Sequence, residues 1–532
     1  MLLSQPHAAS VVASRVLPAR IEVRCSEPQA YAREIVRTAL IRSFTAAQVA
    51  PGSSHADADC VVWIQPEEAA ADDVGRLLAT GGKAVVLGAI GPRVAAVLGL
   101  EWRGPIDWPG HWGCCQASME THHDESPVVI VYDEQHSLGV ASPLRRRPLC
   151  RFDFAEEWNN LGFGRITLSG DAWSLATAVA AGDARPIATI APPSGKPLVY
   201  VAVRDTERGS ALWFNRAVGP VDSLEWCVVE SFLGDYRAAE LPCLPYLGEV
   251  PLGYRGALCA RLDCDEAMAS ARPLVELYRA RGVPLSLAVL TGLSLDEADL
   301  HLMREVLAAG GSVVPHSEHH FANWGGSYEC ARAEADESRA WFESHLPEAG
   351  KVRYAVSPFH QNPPFAVAAL ADTGYDGFIG GIIANDPEYL LGRAGRVPFA
   401  PRPLVSHSAQ CMLHGDCYRR YGNRVDTYCQ AFDEHVAGRA IFGCLDHPFS
   451  ARYQYGWDDE TTRVAAHARL LDHIAIQSDI WHCGLNDALD FLCRRDQVQA
   501  AVDSAGQLAI DASAAPAGPP VAIHWKGRTF GA

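Results

Sequence analysis

From residue 257 to residue 477 the chain repeats one unit, a short apolar run followed by a segment with helical spacing. Ala257–Cys264, Leu285–Leu290, Ser312–Pro315, Val352–Val356, Gly377–Gly381 and Ala440–Leu445 read as strands. Between and after them, Ala269–Arg281, Asp296–Ala309, Cys330–His345, Pro364–Thr373, Val425–Gly438 and Asp459–Gln477 read as helices. Gly282, Gly310 and Gly374 stand where helices close, a position that favours a residue free to take left-handed dihedrals. Parallel strands need a crossover of about a dozen residues, usually a helix, so this alternation constrains the chain to a mainly parallel sheet with helices outside it. Its extent predicts a distorted (β/α) barrel over residues 254–500. In such a barrel the chemistry sits just after the strands.

The first third alternates as well. Ile21–Cys25, Cys60–Gln65 and Lys83–Gly88 read as strands, Ala30–Phe44 as a helix, and Pro66-Glu67-Glu68 as the opening of another. The pattern predicts a doubly wound α/β domain over residues 1–195, resembling glutamine-amidotransferase-like or flavodoxin-like sheets. No Gly-x-Cys-x-Gly nucleophile elbow accompanies it, and Gly113-Cys114-Cys115-Gln116 does not match one, so the domain is expected to be non-catalytic. Residues 196–253 read as connecting strands (Pro197–Val203, Ala211–Asn215) and a linker with Pro242, Pro245 and Pro251. Residues 501–532 form a tail with one strand, Val521–Trp525.

Composition excludes some partners. A net charge of -18 argues against nucleic acid and anionic membranes, because phosphate binding needs clustered Lys and Arg. No apolar run reaches the length of a membrane span. Gln5, His7, Ser10 and Arg15 break any signal-peptide core, and none of the 16 cysteines forms a Cys-x-x-Cys pair. Reduced thiols and a cytoplasmic location are the expectation.

Three segments that follow strands carry candidate chemistry. Asp263 and Asp265, two apart at a strand end, face one side and repel when both are ionised, so a cation or a shared proton is expected between them. In His316-Ser317-Glu318-His319-His320, histidines four apart meet on one face of a helical turn, a spacing that suits one metal, while His319 points elsewhere. Leu445-Asp446-His447 closes a third strand. Beyond it, Arg452, Tyr455 and Trp457 supply a cation and rings of the kind that bind an anionic group and sugar faces, or that simply pack the loop.

Together these segments resemble the polysaccharide deacetylase family (carbohydrate esterase family 4, the NodB-homology domain). Asp263-Cys264-Asp265 looks like the family's paired-Asp motif, His316 to His320 its His-Ser/Thr-x-x-His motif, and Leu445-Asp446-His447 its late Leu-x-His. The resemblance implies that Asp265, His316 and His320 hold one divalent metal, zinc first, with cobalt, nickel or iron as alternatives. It implies Asp263 as general base and His447 as general acid, with Pro358 and Phe359 at the substrate and the Phe359 N–H as oxyanion donor. The substrate implied is an acetylated sugar or glycoconjugate precursor. Related alternatives are hydrolysis of a non-sugar amide, or a non-catalytic carbohydrate-binding or assembly module. The third motif departs from the family: Val356 stands where it has Arg and His360 where it has Gly. Arg261 and Arg353 are the candidates to replace the missing cation.

Overall fold

The computed structural model describes residues 20–50, 58–106, 129–136, 138, 145–148, 175–191, 197–220, 223–380, 391–407, 410–420, 422–450 and 454–532. Strand Gly256–Cys264 is the hub of its C-terminal half. All nine of its residues are buried, as a strand covered on both faces requires. It pairs in parallel with Ile441–Asp446 on one side. On the other side it pairs with Ile480–Cys483 along its first four residues and with Leu285–Val289 along its last five. Val313–Pro315 and Gln410–Met412 extend this six-stranded sheet at its two edges. A second sheet holds Tyr354–Val356, Gly377–Ile379 and Val405–Ser406 in parallel, with Gly395–Arg396 antiparallel at its edge.

Among the described residues no ladder joins these two sheets, so hydrogen bonds do not close them into a ring. They share a core nevertheless. Ala257, Cys259, Ala288 and Val314 from the first sheet pack with Tyr354, Val356, Ile379 and Val405 from the second. A helix follows each strand of the six-stranded sheet. Glu297–Ala308 carries a capping box in which Asp296 accepts from the backbone N–H of Ala298 and Asp299. The helix expected over Ala269–Arg281 starts as a 3-10 turn, Met268–Ala271, and becomes regular only over Arg272–Ala280. Pro273, which has no N–H to give, sits in the first turn of that regular stretch.

The N-terminal sheet has eight strands and is only half parallel. Ile21–Cys25, Cys60–Ile64, Lys83–Leu87 and Ser210–Phe214 run in parallel. Ala30–Phe44 packs over one face, on Val62 and Val85, and Ala70–Ala79 over the other, on Val61 and Trp63. From Ser210–Phe214 outward the neighbours Leu198–Asp205, Arg185–Ala191, Val129–Tyr132 and Arg146–Pro148 are antiparallel. The doubly wound expectation therefore describes half of this sheet. The two strands read from sequence as connections lie inside it, joined through residues 206–209, a link too short for a helical crossover. The proline-rich stretch also contains a strand, Tyr246–Pro251, which pairs with Val521–Trp525 of the tail.

A seam of buried charge ties the two halves together. The Arg393 guanidinium donates to both carboxylate oxygens of Glu230, at 2.9 and 2.6 Å, and to the Gly438 carbonyl. Glu230 also accepts from the Ser43 hydroxyl. Glu249 accepts the backbone N–H groups of Ala394 and Ile441. Arg495, in the helix Leu485–Gln497, donates to the carbonyls of Gly248, Ala394, Leu247 and Arg42. No helix among the described residues is long and apolar enough to cross a membrane.

Candidate metal centre

Asp263 and Asp265 leave the C-terminal end of the hub strand, and His316 and His320 follow the neighbouring strand Val313–Pro315. One ligand atom from each of Asp265, His316 and His320 lies within 4.8 Å of the others. The His316 Nε2 is 3.3 Å from the Asp265 Oδ1, the His320 Nε2 is 3.7 Å from it, and the two Nε2 atoms are 3.1 Å apart. The histidines do not meet on a helix as their spacing suggested. Residues 316–320 form a loop in which Ser317 and His320 take φ of 65° and 55°. The Ser317 hydroxyl accepts the His320 N–H, and the Ser317 carbonyl is bound by Thr291, which fixes the bend. Non-glycine residues in this region of φ cost energy and tend to mark functional loops.

The donor set fits a divalent metal. Asp265 Oδ1 is buried and accepts no hydrogen bond, as expected of an oxygen reserved for a cation. His316 Nδ1 must be the donor in its 3.0 Å bond to the Val356 carbonyl, which directs its Nε2 lone pair at the centre. Burial alone would raise the Asp265 carboxyl, but the close approach of His316, with His447 and His320 beyond, holds it down to about 2. Burial and the neighbouring His316 charge hold the His320 imidazole down to about 4, so it is neutral and able to ligate at ordinary pH. Against burial, the charges of Asp263 and Asp265 push His316 up.

Asp263 is buried and has its own cation. Arg261, two residues earlier on the same face of the strand, donates from Nε to Asp263 Oδ1 at 2.6 Å and from the terminal nitrogen to Oδ2 at 3.2 Å. Burial opposes ionisation, yet the charges of Arg261 and His316 overcome it and hold the Asp263 carboxyl far below the usual carboxylate range. Arg353, the other candidate, pairs instead with Asp376 and Asp490.

His447 enters from the third strand end, its Nε2 3.6 Å from Asp265 Oδ2 and its Nδ1 buried without a partner. Its carbonyl accepts from Arg463. The preceding Asp446 binds His467 Nε2 at 2.9 Å, and His467 Nδ1 meets the Tyr278 hydroxyl. This buried chain fixes the strand end behind His447, and the tripeptide alone did not point to it. Tyr455 stacks flat on His447, with centroids 3.8 Å apart and planes within 9°, and its hydroxyl donates to Asp265 Oδ2 at 3.2 Å.

The remaining expectations divide. Pro358 is buried in the turn after Tyr354–Val356 and the Phe359 ring lies 4.6 Å from that of His320. His360 is buried with Nδ1 unpartnered, and Phe359 and His360 both take left-handed φ. Trp457 is 2 % exposed and packs on Tyr418, so it holds the loop together rather than offering a face to a ligand. His319 binds Glu334 outside the centre. Arg452 lies outside the described residues, as do Cys114 and Cys115. The cysteines among the described residues are free thiols.

No family model matches the chain, and no curated protein matches it. Solved structures do. Agd3, described as a novel carbohydrate deacetylase, is 10% identical over 95% of this chain and 91% of its own, with a TM-score of 0.37. A family 4 carbohydrate esterase from Streptomyces lividans, in complex with acetate, is 14% identical over 44% of this chain and 92% of its own, with a TM-score of 0.28. Puue allantoinase is 14% identical over 45% and 91%, with a TM-score of 0.34. Scores this low add no weight to the geometry. The solved structures to which the chain is similar thus include a carbohydrate deacetylase and a family 4 carbohydrate esterase.

Proposed function

We propose that the chain is a metal-dependent deacetylase that removes an acetyl group from an N-acetylated sugar or glycoconjugate precursor. On this reading residues 254–500 form an open, distorted (β/α) barrel, and the N-terminal α/β region is not catalytic. The observation that carries the reading is the pairing of two unlike carboxylates at one strand end. Asp265 keeps an orphaned oxygen beside two imidazoles, while Asp263 is held ionised by Arg261. Asp265, His316 and His320 would hold the ion, zinc first by ligand type, which supplies Lewis-acid activation of water at the scissile carbonyl. Asp263 takes the proton from the attacking water. Its ionised form is the one able to accept, and because so acidic a carboxyl is a weak base, it would depend on the ion to acidify the water. His447, at the opposite edge of Asp265, gives a proton to the leaving amine, and Tyr455 orients its ring by stacking. Arg261 takes the place of the family arginine that is Val356 here, and the Val356 carbonyl orients His316.

The purified chain should carry about one metal per molecule and release acetate from an acetamido sugar. Asp263→Asn should keep the metal and lose acetate release by about 10²–10⁴-fold. Retained turnover with retained metal would remove Asp263 from the role of base. Metal binding without acetate release from any acetylated sugar would favour the non-sugar amide or the non-catalytic alternative.

A further inference from the structure

A second cavity, of about 680 Å³, opens where the hub strand begins, at the end opposite the candidate metal centre. The nine strand residues between them span roughly 30 Å at the usual rise, so the two sites are separate. In parallel α/β barrels this end ordinarily serves stability alone. The cavity floor is apolar, with Val250 and Val436 buried beneath it, and its volume falls within the range of small-molecule pockets. Tyr254 stands 42% exposed at the wall.

The charges are placed unusually. Arg255 and Arg439 line the cavity, and neither guanidinium forms an ion pair with a described residue. The acid in the lining, Asp433, is engaged by His473 Nε2 at 3.0 Å and by Gln477 at 3.3 Å. Arg439 is also held at φ 54°, closing the helix Asp426–Gly438 in the left-handed conformation where glycine is favoured. Glycine would be the easier residue there, so the arginine side chain is carried at a backbone cost. His524 completes the wall, its Nδ1 3.0 Å from the Thr529 hydroxyl. Burial and the charge of Arg439 hold its imidazole down to about 4, so it faces the cavity as a neutral hydrogen-bonding group.

We infer that this cavity binds a sugar-sized anion, a saccharide ring whose carboxylate or phosphate is taken by Arg255 and Arg439 while its apolar face lies on Tyr254 and the floor. Guanidinium forks match either oxyanion, and a bare inorganic ion would leave the apolar floor and most of the volume uncovered. In a chain of net charge -18, two guanidiniums without an ion pair to a described residue also mark a place where an anion is drawn in. The inference stands independently of the activity proposed for the metal centre.

Calorimetric titration of the full chain with glucuronate, glucose 1-phosphate and glucose tests it. At least one of the two anions should bind saturably and at least 10-fold more tightly than glucose, and their ranking identifies the oxyanion. Arg439→Gly should weaken that binding at least 10-fold while the melting temperature stays level or rises, because glycine suits the backbone there. Arg255→Gln should weaken it in the same direction. No saturable binding of either anion, equal binding of glucose, or unchanged affinity in Arg439→Gly would overturn the inference.

Discussion

In the seam between the halves, Arg393, Glu230, Glu249 and Arg495 are buried, and each carboxylate oxygen meets a donor. At the strand ends around the half-buried Asp265, the side chains of Asp263, His316, His360 and His447 are buried too, yet Asp265 Oδ1, His360 Nδ1 and His447 Nδ1 have no partner. Both arrangements cost desolvation, and only the seam recovers it fully inside the chain. A saturated network fixes one arrangement of backbone, whereas an unsaturated one is complete only with something added. Burial by itself therefore does not separate a functional charge from a structural one. What sets Asp265 apart is that its unmet oxygen lies among ligand atoms of His316 and His320, all within 4.8 Å of one another.

The largest test of this contrast is Arg393→Leu, which leaves Glu230 and Glu249 buried without their cation. It should cost about 3–5 kcal/mol of unfolding free energy, read by denaturant titration. A loss below about 1 kcal/mol would mean that the seam is not held by charge. Arg261→Met removes a cation of the same kind from the pocket, where His316 still faces Asp263. Its expected cost in stability is smaller, about 1–3 kcal/mol, while acetate release should fall by about 10²–10⁴-fold with the metal retained. Equal stability losses in the two variants would erase the contrast.

The smallest effect is a pH dependence at the edge of the seam. His524 is held down to about 4 when folded and titrates near 6.5 when unfolded. Between those values the unfolded chain takes up a proton that the folded chain refuses, so stability falls as pH drops from about 6.5 to about 4 and this contribution then levels off. His524→Gln should flatten that part of the profile. An unchanged slope would assign it to other groups.

The pocket was more legible in the sequence than the seam. Asp263, Asp265, His316, His320 and His447 are polar residues interrupting apolar runs, and their spacing survives in one dimension. Their partners were hidden: the Val356 carbonyl behind His316, the His467–Asp446 pair behind His447, and the stacking of Tyr455 on His447 are contacts that the chain makes only once folded. Spacing also misled at His316–His320, where two left-handed residues do what a helical turn was expected to do. In the N-terminal sheet, apolar runs located the strands but not their directions, since Leu198–Asp205 and Ser210–Phe214 read alike whether parallel or antiparallel. Arg393 and Arg495 gave no signal, because an arginine satisfied by distant carbonyls looks like any other arginine in the sequence.

The position of Arg495 also bears on how the molecule is made. Its guanidinium donates to the carbonyl of Arg42, 453 residues earlier, and to Leu247 and Gly248 midway. At about 5–20 residues per second, a ribosome delivers Arg495 roughly 20–90 s after Arg42. For that interval the Arg42 carbonyl, near the end of the helix that packs on the N-terminal sheet, lacks this donor. A transcript truncated before codon 495 would yield a product without the one side chain that joins the carbonyls of Arg42, Leu247, Gly248 and Ala394.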